Sequence, residues 1–151
     1  MGLAERERSE RSMGRNVYLV AAAIISLIFA VAHTWWGLTR ALPGIDALFI
    51  QAHANSEVSW HQVGGTFLIG GVALLGDALR GQRSVTVPAL IGAVYGMNLV
   101  VFVLLVATRY PAMFGRTVPQ LLLFATMLAL IAAGINRRRR LPFVAPDTDR
   151  S

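Results

Sequence analysis

The sequence lacks cysteine and lysine, and its charged residues keep to the ends of long apolar stretches. Without cysteine the chain can form neither disulfide bonds nor thiolate metal sites, and thiol catalysis is excluded. A glycine-rich phosphate loop, a catalytic serine arrangement and a nucleotide-binding motif are also missing from the sequence. No charged residue lies near the middle of an apolar stretch, which disfavours an ion-pumping function.

Hydrophobic residues make up 55% of the 151 residues and come in four blocks. A helix needs roughly 20 mostly apolar residues to cross the hydrocarbon core, because each residue advances about 1.5 Å across about 30 Å. We therefore predict an all-α fold, an integral membrane four-helix bundle in one domain, residues 16–136. The predicted spans are residues 17–38, 58–79, 85–107 and 118–135. Residues 1–15 and 137–151 are predicted to be cytoplasmic tails, the second basic and then disordered.

All fourteen basic residues are arginine, and eleven of them lie on the side of the spans that carries both termini. Only Arg40, Arg109 and Arg116 lie on the other side. Arginine-rich segments normally stay in the cytoplasm, so both termini are predicted to be cytoplasmic, as an even number of spans requires.

The position of the arginines also indicates which partner they bind. They lie at span ends rather than on one soluble face, which predicts contact with lipid and not with nucleic acid. The run expected to attract anionic lipid headgroups is Arg137, Arg138, Arg139 and Arg140.

Two further patterns predict how the spans are connected and packed. In the loop of residues 39–56, apolar residues share one helical face after Pro43 and Gly44, which predicts a short interfacial helix between spans one and two. Small residues recur at four-residue intervals in span one, and Gly92 and Gly96 form a GxxxG in span three. These stripes favour close packing inside the bundle. The alternative is that they contact a second copy of the chain or another membrane protein.

The stretch HANSEVSWHQVGG, residues 53–65, holds most of the candidate chemistry. If it is helical, His53, Glu57 and His61 form one ridge, since residues four apart lie on the same face. His33 reaches a similar depth from the antiparallel first span, so we predict that His33 and His61 face each other across the two spans, near Gln62 and Gln120.

Three interpretations of these residues remain, besides proton or small-molecule chemistry at the same side chains. A zinc or copper site would use His33, His53, Glu57 and His61, whereas haem b would bind between His33 and His61. The third needs no ligand, because histidines near a membrane interface commonly keep one polar end in water and one apolar end in lipid. We favour the third, and no catalytic residue is assigned.

Other polar residues predict structural contacts. Asn98 lies near the middle of span three, where an interhelical hydrogen bond is expected. Asp77 lies within a turn of Arg80 and Arg83, which predicts an ion pair or local hydration there.

The first apolar run, followed by AVA at residues 30–32, also fits a secretory signal cleaved before His33, which would create an amino-terminal copper site. The run continues through HTWWGL without a helix breaker, so we predict that residues 1–32 stay attached as an anchor.

The motifs AVAHTWWG and WHQVGG, at the end of span one and the start of span two, resemble those of small bacterial four-span proteins broadly like the DoxX-type bundles. The resemblance implies a bacterial inner membrane and a four-helix fold, and it carries no catalytic residues. We expect a non-enzymatic accessory or scaffold protein. The alternative is a haem- or metal-binding membrane protein that uses the histidines.

Overall fold

The computed structural model describes residues 15–43, 50–81 and 84–140, apart from the side chains of residues 50 and 51, and nearly all of these residues are helical. The four long helices are α1 (Val17–Trp36), α2 (Ile50–Leu79), α3 (Thr86–Arg109) and α4 (Phe114–Arg140). A π-helical turn, Gly37–Ala41, extends α1, and a 3-10 turn, Pro111–Met113, precedes α4. With no strand in the described ranges, the predicted all-α four-helix bundle is confirmed.

Each of the four helices is long and apolar enough to cross a membrane. Large apolar side chains cover the outside of the bundle: Ile28, Ile69 and Leu122 are 63%, 72% and 63% exposed. A surface of this kind is stable in lipid and costly in water. The chain is therefore a multi-pass membrane protein.

Local sequence sets the ends of the helices. The Asn16 side chain accepts a hydrogen bond from the Leu19 N–H at 3.4 Å and so caps the start of α1. After α2, Gly81 has a φ of 63°, in the left-handed region that glycine adopts without steric cost. The short turn that follows allows α2 and α3 to run antiparallel.

The closest helix pair is α1 and α2. Ala22, Ser26 and Ala30 are all buried on α1, at 0%, 0% and 4% exposure. A Cβ atom added at Gly71 of α2 would lie 3.3 Å from the Ala23 carbonyl oxygen. The small-residue stripe of the first span is therefore a packing face, as predicted.

The GxxxG of α3 makes a weaker contact than the sequence suggests. A Cβ added at Gly92 would lie 3.2 Å from a methyl group of Ile131 on α4, whereas one added at Gly96 would meet nothing within 4 Å. Only one of the two glycines faces another helix of the chain.

Aromatic rings fill the centre of the bundle. Phe67 of α2 contacts Phe29, Tyr95 and Phe124, with ring centroids 4.6, 4.7 and 5.3 Å away. Because these four rings come one from each helix, the cluster joins the α1–α2 pair to the α3–α4 pair.

The second span begins earlier than the sequence predicted. Helix α2 is continuous from Ile50, eight residues before the predicted start at residue 58. Of the predicted interfacial helix, residues 44–49 lie outside the described residues, as do residues 1–14 and 141–151 of the two tails, whereas residues 50–54 belong to α2. Residues 137–140 belong to α4.

Candidate functional site

The histidine end of the bundle, where α1 ends and α2 begins, holds the candidate ligands. The His33 ring stacks on the Trp60 ring with centroids 4.3 Å apart and planes 6° from parallel. Trp60 also donates its indole N–H to the His33 carbonyl oxygen at 2.8 Å. Gly37 makes this position accessible, since a Cβ there would overlap the indole.

His33 is enclosed mainly by aromatic groups. Phe29, one turn earlier on α1, stacks on it at 5.6 Å. The Nε2 atom of His33 is buried and has no hydrogen-bond partner among the described residues. A buried imidazole nitrogen without a partner is unusual, because burial removes its hydrogen bond to water.

Trp60 occupies the position against His33 that the sequence analysis gave to His61. Within the described ranges, His33 makes no hydrogen bond or ring contact with His61. Consecutive residues of a helix point about 100° apart, so a chain that directs Trp60 toward α1 directs His61 elsewhere. His61 is exposed.

The exposed side of α2 at this end is a shallow groove. Its lining residues are Ala54, Glu57, Val58, His61 and Gln62. Glu57 and His61 lie on adjacent turns, so part of the predicted ridge is present. His53, one turn earlier, is half-buried and does not line the groove.

The structure does not assemble a multidentate metal site from these residues. Among the residues it describes, no group of three histidine, aspartate or glutamate side chains could hold a metal ion. The set His33, His53, Glu57 and His61 is thus split between the contact with Trp60 and the face of α2. The metal and haem interpretations stay predictions.

A second group of polar side chains lies in the centre of the bundle, and the sequence analysis did not single it out. Ser26 of α1 donates to the Phe67 carbonyl oxygen at 2.8 Å, and its hydroxyl lies 2.5 Å from the Tyr95 hydroxyl. Gly70 leaves room for that hydroxyl, since a Cβ there would overlap it. The signal in the sequence was a serine, a glycine pair and a tyrosine inside three apolar spans.

Asn98 does not make the interhelical bond that was predicted. Its Nδ2 donates to the Val94 carbonyl oxygen of its own helix at 3.0 Å. The side chain lies on the outward part of α3, so no neighbouring helix in the described part of the chain supplies a partner.

A third group closes the arginine-rich end, where α1 begins and α4 ends. The Arg138 guanidinium lies 2.7 Å from Asp77 Oδ2, and both side chains are 4% exposed. Arg138 also donates to the Ser84 carbonyl oxygen at 2.5 Å. Asp77 is thus ion-paired, as one of the two predicted alternatives had it, but its partner is Arg138 of α4 rather than Arg80, and Arg83 lies outside the described residues.

Asn16 makes a second tie at the same end. Its Nδ2 donates to the Gly134 carbonyl oxygen at 2.8 Å, which joins the start of α1 to the end of α4. Leu19 packs where a Gly134 side chain would lie. The two ties together connect α4 to both α1 and α2.

These features define a class: a helical membrane bundle whose buried polar groups mostly bond one helix to another. No family model, curated protein or solved structure matches the chain. The resemblance to DoxX-type bundles therefore stays an expectation drawn from two short motifs.

Proposed function

We propose that the protein is a non-enzymatic accessory or scaffold bundle of a cell membrane. The observation that supports this function is the use of its buried polar side chains. Ser26 with Tyr95, Asn16 with Gly134, and Arg138 with Asp77 all join separate helices. Polar groups inside a membrane commonly mark a transport or catalytic path. In this bundle the three pairs instead bond one helix to another and stabilise the packing.

The proposed location is a bacterial inner membrane with both termini in the cytoplasm. The eleven-to-three distribution of arginines supports the orientation, and the motif resemblance supports the membrane. Of the four consecutive arginines, Arg137, Arg139 and Arg140 are exposed. We propose these three as the contacts for anionic lipid headgroups, since Arg138 is already paired.

The second candidate function is haem or metal binding. The buried, unpartnered Nε2 of His33 favours it, because such an atom is available to a ligand. The groove with Glu57 and His61 offers a separate pair of exposed ligands for zinc or copper.

One preparation distinguishes the two functions. Protein purified from membranes in mild detergent, without chelators, is analysed for visible absorption and for metal content per chain. A colourless preparation without stoichiometric metal is the expected result. A Soret band or one metal ion per chain would reject the scaffold proposal as stated.

Paired variants then identify the ligand if one is found. Loss of the Soret band or of metal in His33→Ala, but not in His61→Ala, would assign the ligand to the buried histidine. Loss only in His61→Ala would assign it to the groove. If the scaffold function holds, His33→Ala lowers stability alone, since it removes the stacking partner of Trp60.

A further inference from the structure

We propose that a second copy of this chain binds the face of α3 that carries Asn98. Two α3 helices would then pack in parallel, with their Asn98 amides hydrogen-bonded to each other. We call the surface formed by Val94, Asn98, Val101 and Leu105 the Asn98 face.

The Asn98 face lies on the helix that the bundle covers least. In α3, 11% of an 18-residue apolar stretch is buried inside the bundle, whereas the buried share of the corresponding stretches in the other three spans is 22–39%. Val94, Val101 and Leu105 are 41%, 47% and 49% exposed. The chain's own helices therefore leave this face open to lipid or to another protein.

Asn98 distinguishes this face from an ordinary lipid-facing surface. One N–H of its amide bonds to Val94 in its own helix. The amide oxygen and the second N–H have no hydrogen-bond partner in residues 15–43, 50–81 and 84–140. Since lipid tails offer no hydrogen bonds, an amide left there is costly and gains by meeting a polar partner.

The depth of Asn98 indicates a second copy as that partner. Helix α3 runs from residue 86 to residue 109, so its midpoint falls between Met97 and Asn98. All copies insert in the same orientation, so their α3 helices are parallel and place Asn98 at the same depth. An amide has both donors and an acceptor, so two of them related by a two-fold axis pair reciprocally.

The spacing along α3 fits such a pair. Residues 94, 98, 101 and 105 follow intervals of four, three and four, as in the seam of a parallel coiled coil. In those seams a single asparagine fixes register and number of chains. A different membrane protein would need its own polar side chain at the same depth, whereas a second copy has one by symmetry.

The natural absence of cysteine permits a direct test in native membranes. Leu105→Cys lies on the Asn98 face, and Leu104→Cys is its matched control, because the two leucines are 49% and 56% exposed and point about 100° apart. Under mild oxidation, Leu105→Cys should give a disulfide-linked dimer and Leu104→Cys should not. A dimer of equal yield from Leu104→Cys, or none from Leu105→Cys, would overturn the proposal.

A second measurement isolates the amide. Donor- and acceptor-labelled chains are mixed in lipid vesicles, and energy transfer is followed as the protein is diluted in lipid. Asn98→Val should weaken dimerisation about tenfold, whereas Asn98→Gln, which keeps the amide, should retain most of it. Thermal stability of Asn98→Val in detergent should stay unchanged, because among the described residues Asn98 makes no bond to another helix of its own chain. Unchanged energy transfer in Asn98→Val, or no transfer in the natural protein, would count against the Asn98 face.

Discussion

At the scale of single residues, Arg138 differs from its arginine neighbours because a helix turns about 100° per residue. Only Arg138 points into the bundle, where it pairs with Asp77. We expect Arg138→Gln to lower the free energy of unfolding by about 3 kcal/mol, since it leaves a buried carboxylate without its counter-charge. Denaturant unfolding in detergent micelles measures this.

Arg139→Gln is the matched control for this prediction. Arg139 is exposed and adjacent, so its replacement should change the free energy of unfolding by less than about 0.5 kcal/mol. Equal losses in the two variants would mean that the run acts only through total charge, and that the Asp77 contact contributes nothing.

The tyrosine hydroxyl in the centre of the bundle offers a smaller effect. Tyr95→Phe removes the contact with Ser26 and keeps the ring against Phe67. A loss of about 1 kcal/mol in unfolding free energy is expected, the usual range for a hydrogen bond between membrane helices. Tyr110→Phe, at a residue 58% exposed, should have no measurable effect. If both variants melt like the natural protein, the hydroxyl contact does not stabilise the bundle.

The sequence predicted which residues of the histidine end lie at similar depth, and it did not predict which ones touch. Depth follows from counting residues at about 1.5 Å each. Contact depends on rotation about the helix axis, and the stacked Trp60 and the exposed His61 are consecutive residues that point in different directions. Gly37, which leaves room for the indole of Trp60, lies in the turn that extends α1. The contact between His33 and Trp60 can therefore be recognised only when the positions of α1 and α2 are both known.

At the scale of helices, glycine on α2 gives a matched test of packing. A Cβ at Gly71 would lie 2.9 Å from Leu27 and 3.3 Å from a backbone oxygen of α1, whereas one at Gly76 would meet nothing within 4 Å. Gly71→Ala should therefore destabilise the α1–α2 pair. Gly76→Ala should be neutral or raise stability by up to about 1 kcal/mol, because alanine favours the helix. Thermal melting of both variants in one detergent measures the difference. A Gly71→Ala variant that melts at the same temperature as Gly76→Ala, or at a higher one, would contradict the close packing.

Span number and helix class were predictable because apolar length alone determines them. Hydropathy alone did not predict the start of α2, since residues 50–57 are mostly polar or small, although the apolar face of residues 45–52 predicted a helix there, and the structure shows residues 50–57 as part of α2. They continue the helix because nothing among Gln51, Ala52 and His53 breaks it. In the same way α4 begins at Phe114, four residues before the predicted span, so Pro119 lies inside the helix rather than in its first turn.

At the scale of the whole molecule, the polar ties between helices are unevenly distributed. Asn16 and Arg138 both hold α4 at the arginine-rich end, and Ser26 and Tyr95 join the pairs near the centre. At the histidine end, the described residues place the stack of His33 and Trp60 between α1 and α2. The α3–α4 pair is thus anchored to the α1–α2 pair by polar bonds at the centre and at one end.

The same distribution of charge leads to a prediction about orientation. Eleven arginines on the side of the termini resist translocation, against Arg40, Arg109 and Arg116 on the other side. An alkaline phosphatase reporter, active only outside the cytoplasm, should be inactive when fused after Ser151 and active when inserted in residues 108–117. A fluorescent protein that folds only in the cytoplasm should give the opposite pattern. The variant Arg137→Gln with Arg139→Gln and Arg140→Gln keeps Arg138 and lowers the count to eight against three, so it should preserve both patterns. An active phosphatase at both sites would mean that α4 does not cross the membrane, whereas activity at Ser151 and none in residues 108–117 would mean that the bundle has the opposite orientation.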